Sequence, residues 1–312
     1  SFADQVLWCL DAGFHVDESK AVTKSPVEKN RNRGDGDVPS ARHKIGANVE
    51  LTESIAHHWC RVLRATIGDQ GVLFDGFGGE YQVQLLTISK KNATVTLLSH
   101  ANNDNSAPIF TKIGLVMSRG ERMDYAIQKS TELGVTAIQL LSSHHGEVNL
   151  KPAQVEKKLA HWQQVAIAAC EQCGLNRPPL IIAPIPINDW LKPITTTTPV
   201  KIEATISSMV TTLSQDAYYQ VLQQPADLRL QLSVPAAGQP AMPDSLLSVL
   251  QQPVPYIELL IGPEGGLSTD ECAQAADVGF EPWQIGARVL RTETAPVVAL
   301  ATLQALLPRV NP

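Results

Sequence analysis

The chain has 312 residues, 44% of them hydrophobic, and a net charge of −6. This composition excludes a disordered or fibrous chain, and the acidic balance argues against a large nonspecific nucleic-acid binder. No apolar run reaches about 18 residues, so no transmembrane helix is expected. The opening "SFADQVLWCLDAGF" lacks a basic region followed by a long apolar one, so no signal peptide is expected either. Five cysteines (Cys9, Cys60, Cys170, Cys173 and Cys272) are odd in number and scattered. That pattern fits a reducing cytoplasm rather than a disulfide framework.

Residues 1–38 read as a flexible leader. "ESKAVTKSPVEKNRNRGDGDVPS" is polar, charged and punctuated by glycine and proline, with almost no apolar periodicity. Residues 39–108 read as a small β-barrel-like domain. "ESIAHHWCRVLRATIGD" predicts a short helix ending near Gly68. "GVLFDGFGGEYQVQLLTISKKNATVTLLS" then predicts three strands with turns at the glycines and at "KKNA". Residues 109–312 change period. "IFTKIGLVMS", "VTAIQLLSS" and "PLIIAPI" predict buried strands. Helices lie between them, "ERMDYAIQKSTELG" and "QVEKKLAHWQQVAIAACEQCG", closed by Gly134 and Gly174. Such alternation predicts an α/β fold with a parallel sheet and helices on both faces. Residues 192–256 are weakly patterned, with a possible strand at "DLRLQLS". Order returns at "YIELLIG", then a helix from Thr269, the short strand "PWQIG", the loop "ARVLRTETAP" and a last helix to about Leu307.

The stretch "LLIGPEGGLSTDE" (Leu259 to Glu271) carries the strongest functional signal. A buried strand stops at Gly262, and Gly265 and Gly266 leave main chain open to a close approach. Ser268 and Glu271 form a capping-box pattern, so a helix N-terminus opens just after the turn. Ligands of open α/β sheets bind at such strand–turn–helix junctions. The motif is neither G-x-G-x-x-G nor a P-loop, so a nucleoside triphosphate is not the expected ligand. About twenty residues on, "IGARVLRTETAP" packs two arginines, a glutamate and two threonines into "RVLRTET".

Together these two loops resemble the RsmE family of ribosomal RNA uridine-N3 methyltransferases, within the SPOUT class. The resemblance extends to "MSRGERMDYAIQKSTELGV", "WQQVAIAACEQCGLNR", "HHWCRVLR" and "LFDG", and covers roughly residues 42–307. It implies a carboxy-terminal trefoil knot that holds S-adenosylmethionine, a PUA-like barrel in front of it, and a homodimer. The implied reaction is methyl transfer to N3 of a uridine in 16S (small-subunit) ribosomal RNA, within the assembled subunit. No metal is expected. The spacing of Cys170 and Cys173, and the pairs His57/His58 and His144/His145, lack partners at ligand spacing.

By resemblance, main chain around Leu260, Gly262, Gly265, Gly266, Gly286, Val289 and Leu290, with Thr294, lines the donor site. Thr294 reads equally well as the N-cap of the last helix. Uracil N3 becomes nucleophilic only after losing its proton. Glu293 or Glu264 is therefore the candidate base, and Arg291 the candidate partner for the developing oxyanion. Arg61, Arg64, Arg119, Arg122 and Arg177 are the candidate RNA contacts.

The sequence departs from the family in several places. The arginine-rich first strand is replaced around "SARHKIG", and the strand usually ending in a His-Pro turn reads "LQLSVPAAG". The segment "TTTTPVKIEATISSMVTTLSQDAYYQVLQQ" is long, and Pro296 stands where a small or apolar residue is usual. Two rival readings remain: a SPOUT methyltransferase for another RNA, such as a transfer RNA ribose 2′-hydroxyl, and a noncatalytic RNA-binding or assembly factor.

Overall fold

The computed structural model describes residues 7–9, 43–90, 92–192, 216–234 and 241–307. Most of the expected leader, residues 193–215 of the long 192–256 segment and the loop at "PAAGQP" lie outside these residues. The chain divides into two compact units. One spans residues 1–106 together with 174–177, and the other spans 107–173 and 178–312.

The first unit is built on a five-stranded sheet. Its elements are β1 (Leu7–Cys9), β2 (Asn48–Glu50), α1 (Glu53–Ala56), a π-helical turn (His57–Val62), β3 (Gln70–Phe74), β4 (Glu80–Ile88) and β5 (Ala93–Ala101). The sheet order is β1-β3-β4-β5-β2. Within the stretch read as a leader, Leu7–Cys9 pairs in parallel with β3, while the other pairings are antiparallel. Alternate residues of β4 and β5, including Tyr81, Val83, Leu85, Val95 and Leu97, point into one core. Ile55, Ala56 and Trp59 close that core from the helical side. The helix read through to Gly68 stops earlier, at Val62, and Arg64 takes a left-handed φ of 58°.

Residues 174–177 join this unit through side chains. Asn176 is buried and accepts from the Asn105 amide at 3.1 Å. Arg177 Nε donates to Asp104 Oδ2 at 2.6 Å. Burial pushes the Asp104 carboxyl up, but hydrogen bonds from Ser106 and Arg177, with the Arg177 charge, hold it below its ordinary value.

The second unit is α/β. Its elements are β6 (Phe110–Val116), α2 (Glu121–Glu132), β7 (Ala137–Ser142), α3 (Pro152–Cys173), β8 (Leu180–Pro186), α4 (Ile187–Trp190), α5 (Ala217–Gln220), β9 (Leu228–Leu232), α6 (Asp244–Val249), β10 (Tyr256–Ile261), α7 (Thr269–Asp277), β11 (Phe280–Trp283) and α8 (Ala295–Leu306). Six strands form one sheet in the order β11-β9-β10-β6-β7-β8, and every pairing is parallel.

Every residue of β10 is buried. Its side chains alternate, as strand geometry demands. Ile257, Leu259 and Ile261 join a core with Met123 and Ile127 of α2, Leu159 and Trp162 of α3, and Leu300 and Leu303 of α8. Leu260 faces the other way, toward Ile187 of α4 and Ala275 of α7. This two-sided burial explains why the sequence of β10 is an almost unbroken apolar run.

The exception in that run is Glu258. Lys112 Nζ lies 3.4 Å from one of its oxygens, and Arg229 Nε lies 3.0 Å from the other. The Tyr256 hydroxyl donates to it at 3.1 Å. Burial first, and the Glu258 charge second, push the Tyr256 phenol far above its ordinary value, so it stays a donor. Three adjacent strands, β9, β10 and β6, thus share one buried carboxylate. Glu258→Gln leaves two largely buried cations under-compensated. It is expected to lower stability by about 3–5 kcal/mol, read by denaturant unfolding.

Candidate active site

The polypeptide leaves the sheet at Gly262. Gly266 N donates to the Pro263 carbonyl at 2.8 Å, closing a tight turn, and Gly266 takes a φ of +74°, a conformation other residues rarely adopt. The capping box of α7 is complete, with Ser268 accepting from Glu271 N and the Glu271 side chain accepting from Ser268 N.

Three other segments hold this turn. Glu271 also accepts from His144 N at 2.8 Å, and His145 Nδ1 donates to the Gly266 carbonyl across 3.1 Å. Arg122 Nη1 lies 2.9 Å from Glu264 Oε1, with the Ser118 hydroxyl at 3.5 Å from the same oxygen. The buried Thr292 donates its hydroxyl to the Gly262 carbonyl at 3.3 Å. That last bond ties the "RVLRTET" loop to the glycine turn.

A cavity of ≈ 270 Å³ lies among three loops, those that follow β9, β10 and β11. The first contributes Leu232, Ser233 and Val234, and the second Gly262, Glu264, Gly266 and Leu267. The third contributes Ile285, Arg288, Val289, Leu290 and Thr292. Ser233 N donates to the Trp283 carbonyl at 3.0 Å, which joins the first loop to the third. Gln231 Nε2 donates to Cys272 Sγ at 3.5 Å. Val234 and Val289 line the cavity yet are 56% and 69% exposed. Mostly apolar walls, open main chain and few charges suit a planar ring system. The buried Ser233 hydroxyl oxygen has no partner among the described residues. The site therefore fits a planar ring such as a nucleoside base.

Gly262, Gly266, Glu264, Val289 and Leu290 come together in this wall. Gly265 lies just behind it, where an added Cβ would stand 3.3 Å from His145. The Leu260 side chain points into the core around Ala275 and Phe280, so any part it takes in the donor site is through its main chain. Gly286 turns the third loop with a φ of +76°. Thr294 occupies the N-cap of α8 without a side-chain capping bond.

Of the charged candidates, Glu264 lines the cavity and is paired with Arg122. Arg291 is 76% exposed and stands 3.9 Å from Glu293, whose side chain is 12% exposed. Glu293 Oε2 is buried with no partner among the described residues. Arg288 and Trp283 were not singled out by sequence reasoning. Arg288 stands in the quoted loop, but nothing in the sequence places Ser233 or Trp283 beside it.

The candidate RNA contacts divide. Arg61 and Arg64 are exposed on the first unit, and Arg61 Nη2 donates to the Lys90 carbonyl at 3.2 Å. Arg119 is 72% exposed and pairs with Glu147 at 3.2 Å. Arg122 is committed to Glu264. Arg177 pairs with Asp104 at 2.6 Å, and its side chain is 7% exposed within the first unit.

Residues 105–304 match the RNA methyltransferase domain family, and residues 51–98 match the RNA methyltransferase PUA domain family. The chain is 31% identical to ribosomal RNA small subunit methyltransferase E of Synechocystis sp., over 84% of this chain and 75% of that one. The chain belongs to the ribosomal RNA small subunit methyltransferase E family. A second member, from Buchnera aphidicola, is 27% identical over 82% of this chain and 87% of its own. The crystal structure of the family member from Neisseria gonorrhoeae, bound to S-adenosyl methionine, superposes with a TM-score of 0.66. It is 31% identical, over 86% of this chain and 95% of that one. A methyltransferase from Legionella pneumophila with bound SAM also gives a TM-score of 0.66, at 30% identity over 85% and 94%.

Within this family member, the Thr292 bond to Gly262 directly links the two motif loops. Thr292→Val is expected to cost about 0.5–1.5 kcal/mol of stability and to weaken binding of S-adenosylhomocysteine. Thermal unfolding and calorimetric titration check the two effects.

Proposed function

We propose that the protein transfers a methyl group from S-adenosylmethionine to N3 of a uridine in small-subunit ribosomal RNA. The observation that carries this reading is the cavity itself, bounded by "GPEGG" and "RVLRTET" at the carboxyl ends of β9, β10 and β11. Family membership supports the reaction and the RNA. The uridine N3 position rests on the resemblance of the two loops. On the same basis the protein acts as a cytoplasmic homodimer on the assembled subunit, with its carboxy-terminal loops threaded as a trefoil knot. The domain of residues 39–108 helps to hold RNA through Arg61 and Arg64, and the domain of residues 109–312 adds Arg119.

In this reading main chain at Gly262 and Gly266, with Val289 and Leu290, holds the donor. S-adenosylmethionine supplies an electrophilic methyl group when bound. The chain's own task is to place uracil N3 in line with that methyl and to remove its proton. Positioning accounts for as much as roughly 7–11 kcal/mol of barrier lowering. Of the two glutamates, Glu264 is occupied by Arg122 and braces the turn. Glu293, beside Arg291 in the other loop, is the proposed acceptor of the N3 proton. Arg291, exposed beside it, steadies the uracil oxygen that gains charge. An intact donor cavity weighs against the noncatalytic alternative.

The test is transfer of labelled methyl to small ribosomal subunits lacking the modification, followed by nucleoside mass spectrometry. Label is expected in 3-methyluridine. Glu293→Gln is expected to slow transfer by about 10²- to 10⁴-fold with donor binding retained, and Arg291→Ala to slow it as well. Label in a ribose-methylated nucleoside would transfer the assignment to ribose chemistry. A fully active Glu293→Gln would remove that residue as the base.

A further inference from the structure

The first unit contains a cavity of ≈ 190 Å³ lined by its own residues alone. One wall comes from α1 and the π-helical turn, the other from the end of β4 and the turn into β5. Isolated π-helical turns are rare and are frequent at functional sites. Arg61 Nη2 donates to the Lys90 carbonyl at 3.2 Å, which joins the two walls. Asn92 N donates to Ser89 Oγ at 2.9 Å and fixes the β4–β5 turn. Part of the lining is apolar, from Ala56, Cys60 and Ile88. Burial, against the opposing Arg61 charge, pushes the Cys60 thiol up, so it stays neutral. The charged part is exposed: Arg61 and Lys90, with Glu53 as the one carboxylate among the described lining residues.

We propose that this cavity takes one unpaired base of the RNA substrate, a base other than the uridine that receives the methyl. This rests on the reading of the substrate as small-subunit ribosomal RNA. A slot for an unstacked base needs an apolar surface for the ring and cations within reach of the adjoining phosphates. Ala56, Cys60 and Ile88 supply the first, and Arg61 and Lys90 the second. A guanidinium carries five N–H donors, so the Arg61 bond to Lys90 leaves others for a phosphate. Phosphate contact alone calls for no apolar lining, and a duplex keeps its bases stacked inside. At ≈ 190 Å³ the cavity has room for a single ring and not for a helix or strand of a protein partner.

Fluorescence anisotropy with oligouridine and with an abasic RNA of the same length checks this on the full chain. The wild type is expected to bind oligouridine about tenfold more tightly than the abasic RNA. Ile88→Glu places a carboxylate in the slot and is expected to lose that preference. It is also expected to raise KM for small subunits lacking the modification by about tenfold, with kcat and S-adenosylhomocysteine affinity retained. Leu98→Glu adds the same charge at an exposed position of β5 outside the cavity, and is expected to change neither. Ile88→Gln reports the same loss if the glutamate unfolds the chain. Equal wild-type affinity for the two RNAs overturns the base slot. A preference that survives at Ile88, or that falls equally in Leu98→Glu, overturns it as well. A base preference that depends on Ile88 in a protein that leaves subunits unmethylated supports the slot and overturns the proposed reaction.

Discussion

The parallel pairing of β10 between β9 and β6 is the constraint on which the second unit depends. A strand buried on both faces leaves its chain no freedom until the sheet ends. Gly262 therefore emerges at a fixed place and in a fixed direction. Residues at either side of that exit come from the neighbouring strands, Ser118 two residues past β6 and Ser233 immediately past β9. The site is the consequence of ending parallel strands at one level and letting their loops meet.

Two kinds of interaction hold that arrangement. Beneath it, Glu258 gathers Lys112 and Arg229 from the flanking strands, so charge neutralisation and strand register reinforce each other. Above it, the loops are joined by individually weak hydrogen bonds, including Thr292 to Gly262 and Ser233 to Trp283. Each is worth on the order of 1 kcal/mol. A pocket assembled from several such links gains order from whatever binds it, since a ligand that binds only the folded form stabilises it by mass action. The exposed Val234 and Val289 fit that picture, as apolar groups on a wall that a ring would cover.

The charged groups divide by burial. Arg177 resembles an RNA contact in sequence, and the structure pairs it with Asp104 inside the first unit. Glu264 and Glu293 look alike as candidate bases. One is fixed by an arginine from the first turn of α2, while the other retains a buried oxygen with no partner among the described residues. Such distinctions between similar side chains arise from partners more than a hundred residues away in the chain, as with Arg122 and Glu264.

Much was legible in the sequence, because it is written in local chemistry. Period-two and period-3.6 patterns marked β4, β5, α2 and α3, and unbroken apolar runs marked β6, β7 and β10. Ser268 and Glu271 announced the start of α7, and the glycines of "GPEGG" announced a turn open to a ligand. The two loop motifs, read together, pointed to the family. The sequence did not show that Leu7–Cys9 joins a sheet, that the Leu260 side chain turns into the core, or that Arg177 pairs with Asp104. Nor did it place Ser233, Trp283 and Arg288 in one wall. Those facts depend on strand order and register, which are set by packing between distant segments. Local periodicity tells a side chain which way to point, but only the assembled sheet decides what it meets.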